Sequence, residues 1–157
     1  MNFAIFVLVL MRRVVRDYWW NFLFCIPFFI LDISWGVMLL QCVGFLLVGL
    51  WINYSIHELG HIVLIKLFCS PVRILYWLDE KVGSLTYECD LRPIQKMCIG
   101  CVGSFVNFAF LLIMTSLYNT IQYWGVLVIA IPALYVGIKS ILPGTADYQM
   151  IKESLRT

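Results

Sequence analysis

The sequence predicts an all-α polytopic membrane protein of about four transmembrane helices, with a small β-hairpin in its central loop. Three observations carry this reading. Of the 157 residues, 62% are hydrophobic and only 13% charged, against about 45–50% and about 25% in ordinary soluble domains. Mean hydropathy is +0.92. Two long stretches are almost free of charge: residues 33–65, whose only formally charged member is Glu58, and residues 97–138, which have none.

One membrane-embedded domain over residues 1–157 is expected, and its elements follow in order. The N-terminal arm, residues 1–17, holds an apolar run at 2–11 that is too short to cross a bilayer. It is expected at the interface or against the bundle. This run precedes the cluster Arg12, Arg13, Arg16 instead of following it, which is the reverse of a signal peptide, so it is expected to stay on the mature protein. Residues 18–34 open on Tyr18, Trp19 and Trp20, aromatic types suited to a membrane interface, and form the first expected span. Residues 37–68 form the second. The uncharged stretch 97–138 is too long for one crossing and is interrupted at Asn119, Thr120 and Gln122, so it reads as a helical hairpin with spans at 96–118 and 123–142. Between the second and third spans, in the loop 70–95, two β-favouring runs at 72–78 and 84–91 flank residues 79–83, a hairpin signal. Residues 143–157 complete the chain.

Charge tests the topology. All 11 Lys and Arg residues fall before the first span, between the second and third, or at the end of the fourth. Arg12, Arg13 and Arg16 make the first group, Lys66, Arg73, Lys81, Arg92 and Lys96 the second, and Lys139, Lys152 and Arg156 the third. By the positive-inside rule both termini and the central loop are expected on the cytoplasmic side of the cell membrane. The net charge of +2 and the lack of a long basic run argue against nucleic acid as a partner. Six cysteines sit mostly in or beside apolar runs and read as small apolar residues. The pair Cys98 and Cys101 lacks the further ligands of a zinc knuckle and the βαβ context of a redox motif.

Inside the second apolar run stand His57, Glu58, Leu59, Gly60 and His61, an HExxH motif that uses both histidines of the chain. On a helix, positions i and i+4 share a face, so both imidazoles can reach one zinc ion while Glu58 projects beside it, toward the water that the ion activates. Such a motif arises by shuffling 2 His and 4 Glu over 157 positions in roughly 3 of 10,000 arrangements. Ionisable groups at membrane depth are costly and are kept for function. A catalytic zinc needs a third protein ligand. Asp147, just beyond the fourth span, is the stronger candidate and Asp90, in the central loop, the weaker. His57 lies 11 residues before Phe68, roughly 16 Å below that helix end. Asp147 therefore has to lie at depth too, with Pro143 and Gly144 breaking the fourth helix inside the membrane.

With these residues in hand, the chain resembles the site-2 protease family of intramembrane zinc metalloproteases. His57 to His61 correspond to the family's HExxH helix. Gly103, Ser104, Phe105, Val106 and Asn107 look like its Gly-Pro-x-x-Asn motif, and Pro143 to Asp147 resemble its third motif with the aspartate ligand. The match runs from about Gly36 to Tyr148. It departs from the family pattern at Ser104, where proline is common, at Ser140, where an asparagine is usual, and at Tyr148, where glycine is usual. The resemblance implies one Zn2+ per chain held by His57, His61 and Asp147, with Glu58 as the catalytic base. Asn107 is then expected at the scissile carbonyl or oxyanion. The implied substrate is a membrane protein cleaved in or near a transmembrane segment, with the hairpin close to the active site as a strand edge for the unwound segment. No segment resembling a PDZ or CBS domain is present, so a bare catalytic core, or one regulated by a separate protein, is expected. The alternative is a catalytically inactive relative that binds zinc or helices.

Overall fold

The computed structural model describes residues 3–69, 75–78, 83–86 and 88–156. Helix α1 runs over Phe3–Tyr18 and passes through a 3-10 segment, Trp19–Cys25, into α2, Ile26–Leu31. The long helix α3 covers Ile33–Phe68, and Leu75–Leu78 (β1) and Gly83–Thr86 (β2) form a two-stranded antiparallel ladder. Helix α4 covers Pro93–Ile121, α5 Trp124–Ser140 and α6 Ala146–Ser154. Three helical stretches are long and apolar enough to cross a membrane: Val7–Leu31, Ile33–Phe68 and Pro93–Ile121. Trp124–Ser140 is apolar but shorter, at 17 residues. This is the architecture of an α-helical membrane protein.

The first apolar stretch begins at Val7, well before the expected Tyr18, and stops at Leu31 rather than at residue 34. Helix α1 continues through its charged turn because Arg13 pairs with Asp17 one turn on, at 3.5 Å, and Arg16 pairs with the same carboxylate at 2.9 Å. The stop is set by Asp32, which is extended (φ −159°, ψ 124°) and accepts the Ser34 N–H at 2.7 Å as the N-cap of α3. Of the two places expected for the arm, at the interface or against the bundle, it takes the second and packs on α3. Leu10 and Val14 are buried there, and the Trp51 indole N–H donates to the Val7 carbonyl at 3.1 Å.

Helix α4 starts on Pro93 at its first position, with the Gln95 side chain accepting the Arg92 N–H at 2.9 Å. It ends on Gln122, whose left-handed backbone (φ 55°) closes the α4–α5 corner. In the ladder, Leu75 opposes Thr86 and Leu78 opposes Gly83. Of the turn expected at 79–83, residues 79–82 lie outside the described residues, as does the cation Arg73, while Gly83 opens β2. Cys69 and Cys89 are disulfide-bonded across a separation of 20 residues. This corrects the reading of these two as apolar filler: the chain returns from the ladder to the end of α3 and brings them together. The other four cysteines are free.

Burial departs from that of a soluble fold, although an apolar core remains around residues such as Ile65 and Ile99. Large apolar residues such as Ile30, Leu31, Phe105 and Leu112 face outward, while Asn53, His57, His61, Ser104, Asn107 and Ser140 are buried. Lipid is an apolar solvent, so outward Leu and Ile cost nothing and polar groups gather where helices can satisfy them. Close approach of the bundle helices relies on small residues. A Cβ at Gly49 would sit 2.5 Å from the Ile129 carbonyl oxygen of α5.

Candidate metal centre

The centre is assembled from three helices around one face of α3. Asn53, His57 and His61 recur every four residues on that face and all are buried. The Nε2 atoms of His57 and His61 lie 3.1 Å apart. Asp147 presents Oδ2 at 3.1 Å from His57 Nε2 and Oδ1 at 3.3 Å from His61 Nε2. Among the described residues these three form the one His, Cys, Asp or Glu group able to hold a metal ion. Asp90 is not part of it.

The dimensions can be tested against zinc. A tetrahedral ion with bonds of about 2.0–2.1 Å separates its ligands by about 3.3–3.4 Å, and the donor separations here are 3.1, 3.1 and 3.3 Å. Donor chemistry agrees as well, since two imidazoles and one carboxylate form a recurrent catalytic zinc set that leaves a fourth position open. Asp147 Oδ2 is buried without a conventional hydrogen bond, as suits an oxygen that faces a cation. Glu58 is half-buried and lies outside the donor triangle.

Asp147 reaches the histidines because the chain breaks after α5, as the residues around Pro143 and Gly144 predict. Helix α5 ends at Ser140, and Gly144 takes φ 98°, a conformation that favours glycine. The Thr145 hydroxyl donates to the Ser140 carbonyl at 2.5 Å and accepts the Tyr148 N–H at 3.3 Å, which caps α6 and places Asp147 in its first turn. Helix α6 then leans on α4 at Gly100, where a Cβ would come within 3.0 Å of the Asp147 carbonyl oxygen.

Helix α4 supplies the wall behind His57. A Cβ at Gly103 would overlap the His57 ring, and one turn further on the Asn107 amide nitrogen lies 3.2 Å from His57 Nδ1. Asn107, expected at a substrate carbonyl, is fully buried against a candidate ligand instead. Two of the three departures from the family pattern, Ser104 and Ser140, touch each other: their hydroxyls are 2.5 Å apart, and Ser140 also donates to the Gly137 carbonyl at 3.0 Å. Sequence reasoning missed Asn53. It is fully buried one turn before His57, its amide donates to the Gly49 carbonyl at 2.7 Å, and its Oδ1 is unpartnered. The available signal was an asparagine in an apolar helix at the spacing of the two histidines.

Comparison of the chain with protein-family models, curated proteins and solved structures finds no match.

Proposed function

We propose that this chain is an intramembrane zinc metalloprotease of the site-2 protease type, hydrolysing peptide bonds in or near transmembrane segments of membrane proteins. The observation that carries the reading is the His57, His61, Asp147 triangle with edges of 3.1–3.3 Å, flanked by a glutamate that is not one of its corners. When bound, zinc would supply Lewis acidity that brings a water toward ionisation near neutral pH. His57 and His61 would hold the ion through Nε2 and Asp147 through its carboxylate. Glu58 accepts a proton from the attacking water and returns it to the amine nitrogen released as the peptide C–N bond breaks. A substrate helix has its carbonyls bonded internally, so it must unwind first, and an extended segment then pairs with an edge of the β1–β2 ladder.

In the same proposal α5 makes a fourth crossing, since 17 residues rise about 26 Å, close to a thin hydrocarbon core. Both termini and the opening of the site face the cytoplasm, with all 11 Lys and Arg on one side. The Cys69–Cys89 bond pulls the other way, because disulfides persist in oxidising compartments. The orientation proposed follows the cations, all 11 of which fall on one side.

The test is metal content and cleavage of a panel of transmembrane peptides by the purified protein, beside Glu58→Gln and Asp147→Asn. Expected are about one zinc per chain for the wild type, metal retained without cleavage for Glu58→Gln, and metal lost for Asp147→Asn. A wild-type protein without zinc overturns the proposal. One that holds zinc and cuts no peptide points to the inactive relative or to a missing activator.

A further inference from the structure

The chemistry of a metal-ligating imidazole restricts its other nitrogen. To offer a lone pair at Nε2, neutral His57 has to carry its proton on Nδ1, and that N–H then needs an acceptor. The group facing His57 Nδ1 is the Asn107 side chain, 3.2 Å away, buried at 0% exposure. With the amide nitrogen toward the ring, Nδ1 is the acceptor. The proton is then driven to Nε2, where it points at His61 Nε2 and Asp147 Oδ2, both 3.1 Å away, and blocks the ligand position. A half-turn of the amide exchanges Oδ1 and the nitrogen with almost no change of shape. Oδ1 then accepts Nδ1–H and frees Nε2. Either orientation leaves one amide group of Asn107 without a protein partner, as Oδ1 is here. Only one of them lets His57 bind an ion.

Gly103 adds a second, independent constraint. It lies one turn before Asn107 on the same face of α4, and its missing Cβ is the space that the His57 ring fills. The ring is thus held flat against the Gly103 backbone and keyed at Nδ1 by Asn107. We propose that Asn107 is a positioning residue for the metal ligand His57: it accepts the Nδ1 proton and fixes the tautomer that aims Nε2 at the zinc. It acts through His57 and not as a hydrogen-bond donor to the substrate oxyanion. This inference rests on the zinc reading of the site.

The experiment measures zinc affinity, by chelator competition, of the full-length protein in detergent for wild type, Asn107→Leu and Asn107→Asp. Loss of the acceptor in Asn107→Leu should weaken zinc about 10–100-fold. Asn107→Asp, which keeps an acceptor and removes the donor, should stay within about threefold of wild type. An oxyanion donor would behave oppositely, with Asn107→Leu leaving zinc affinity unchanged. A readout independent of the variants is nitrogen NMR of the zinc-loaded wild type, which is simple with only 2 histidines. His57 should show a protonated, hydrogen-bonded Nδ1 and a metal-bound Nε2. An unprotonated Nδ1 in the zinc-loaded protein, or undiminished zinc affinity in a folded Asn107→Leu, overturns the inference. Absence of zinc from the wild type instead removes the reading beneath it.

Discussion

Replacing Gly103 with alanine would perturb the centre while leaving every donor atom in the chain. The new Cβ would fall 2.5 Å from His57 Nδ1, about 1 Å inside an ordinary contact of roughly 3.5 Å. Neither side yields easily: one is helix backbone in the middle of α4, and the other is a ring pinned between α3 and α4. Ligand distances in a zinc site tolerate only about 0.2 Å, so a ring displaced by about 1 Å no longer coordinates. Zinc affinity should fall at least about 100-fold, or about 2.7 kcal/mol, on top of roughly 1–3 kcal/mol of overpacking cost in the metal-free protein. Chelator competition measures the first quantity and thermal unfolding in detergent the second. Gly44→Ala is the control, because a Cβ there meets nothing within 4 Å and only helix propensity changes. If Gly103→Ala binds zinc within about threefold of the wild type while Gly44→Ala behaves as expected, the ring is not clamped by α4 and the derivation fails.

Two further outcomes follow from the same geometry. The buried Ser104 and Ser140 hydroxyls, 2.5 Å apart, should show a coupling of about 0.5–1.5 kcal/mol in a double-mutant cycle of alanine variants read by thermal or denaturant unfolding. Zero coupling would mean that the contact carries no energy, and the Ser104→Ala variant alone should be mild because Ser140 keeps the Gly137 carbonyl. For topology, Asn119→Cys should react with a membrane-impermeant thiol reagent on intact cells while Lys152→Cys stays protected until the cells are opened. The reverse pattern would put the central loop outside and bring its orientation into line with the Cys69–Cys89 bond.

The parts of the centre legible in the sequence are those governed by short-range periodicity. His57 and His61 had to share a face once residues 33–65 were helical, and Glu58 had to project beside them. Asp147 was legible as the stronger of two carboxylates because Pro143 and Gly144 announce a break. Its choice over Asp90 rests on the turn that Thr145 caps and on the space left by Gly100. The partner of Asn107 was not legible. An asparagine in an apolar helix needs some partner, but which one depends on how α4 is rotated against α3. The first apolar helix begins before the span expected from Tyr18 because the ion pairs of Arg13 and Arg16 with Asp17 let the helix run through its charged turn.

The sequence by itself determined that the chain is apolar enough for a membrane, that its histidines form an HExxH pair, and that its cations segregate. The first is a property of composition, the second of neighbours one helical turn apart, and the third of the order of charged and apolar segments along the chain. Only the tertiary structure decided that Asp147 closes the donor triangle, that Gly103 and Asn107 grip His57, that Ser104 meets Ser140, and that Cys69 bonds Cys89. These are contacts between distant segments, fixed by helix rotation and by where small residues let backbones approach, and no local pattern in the chain encodes either.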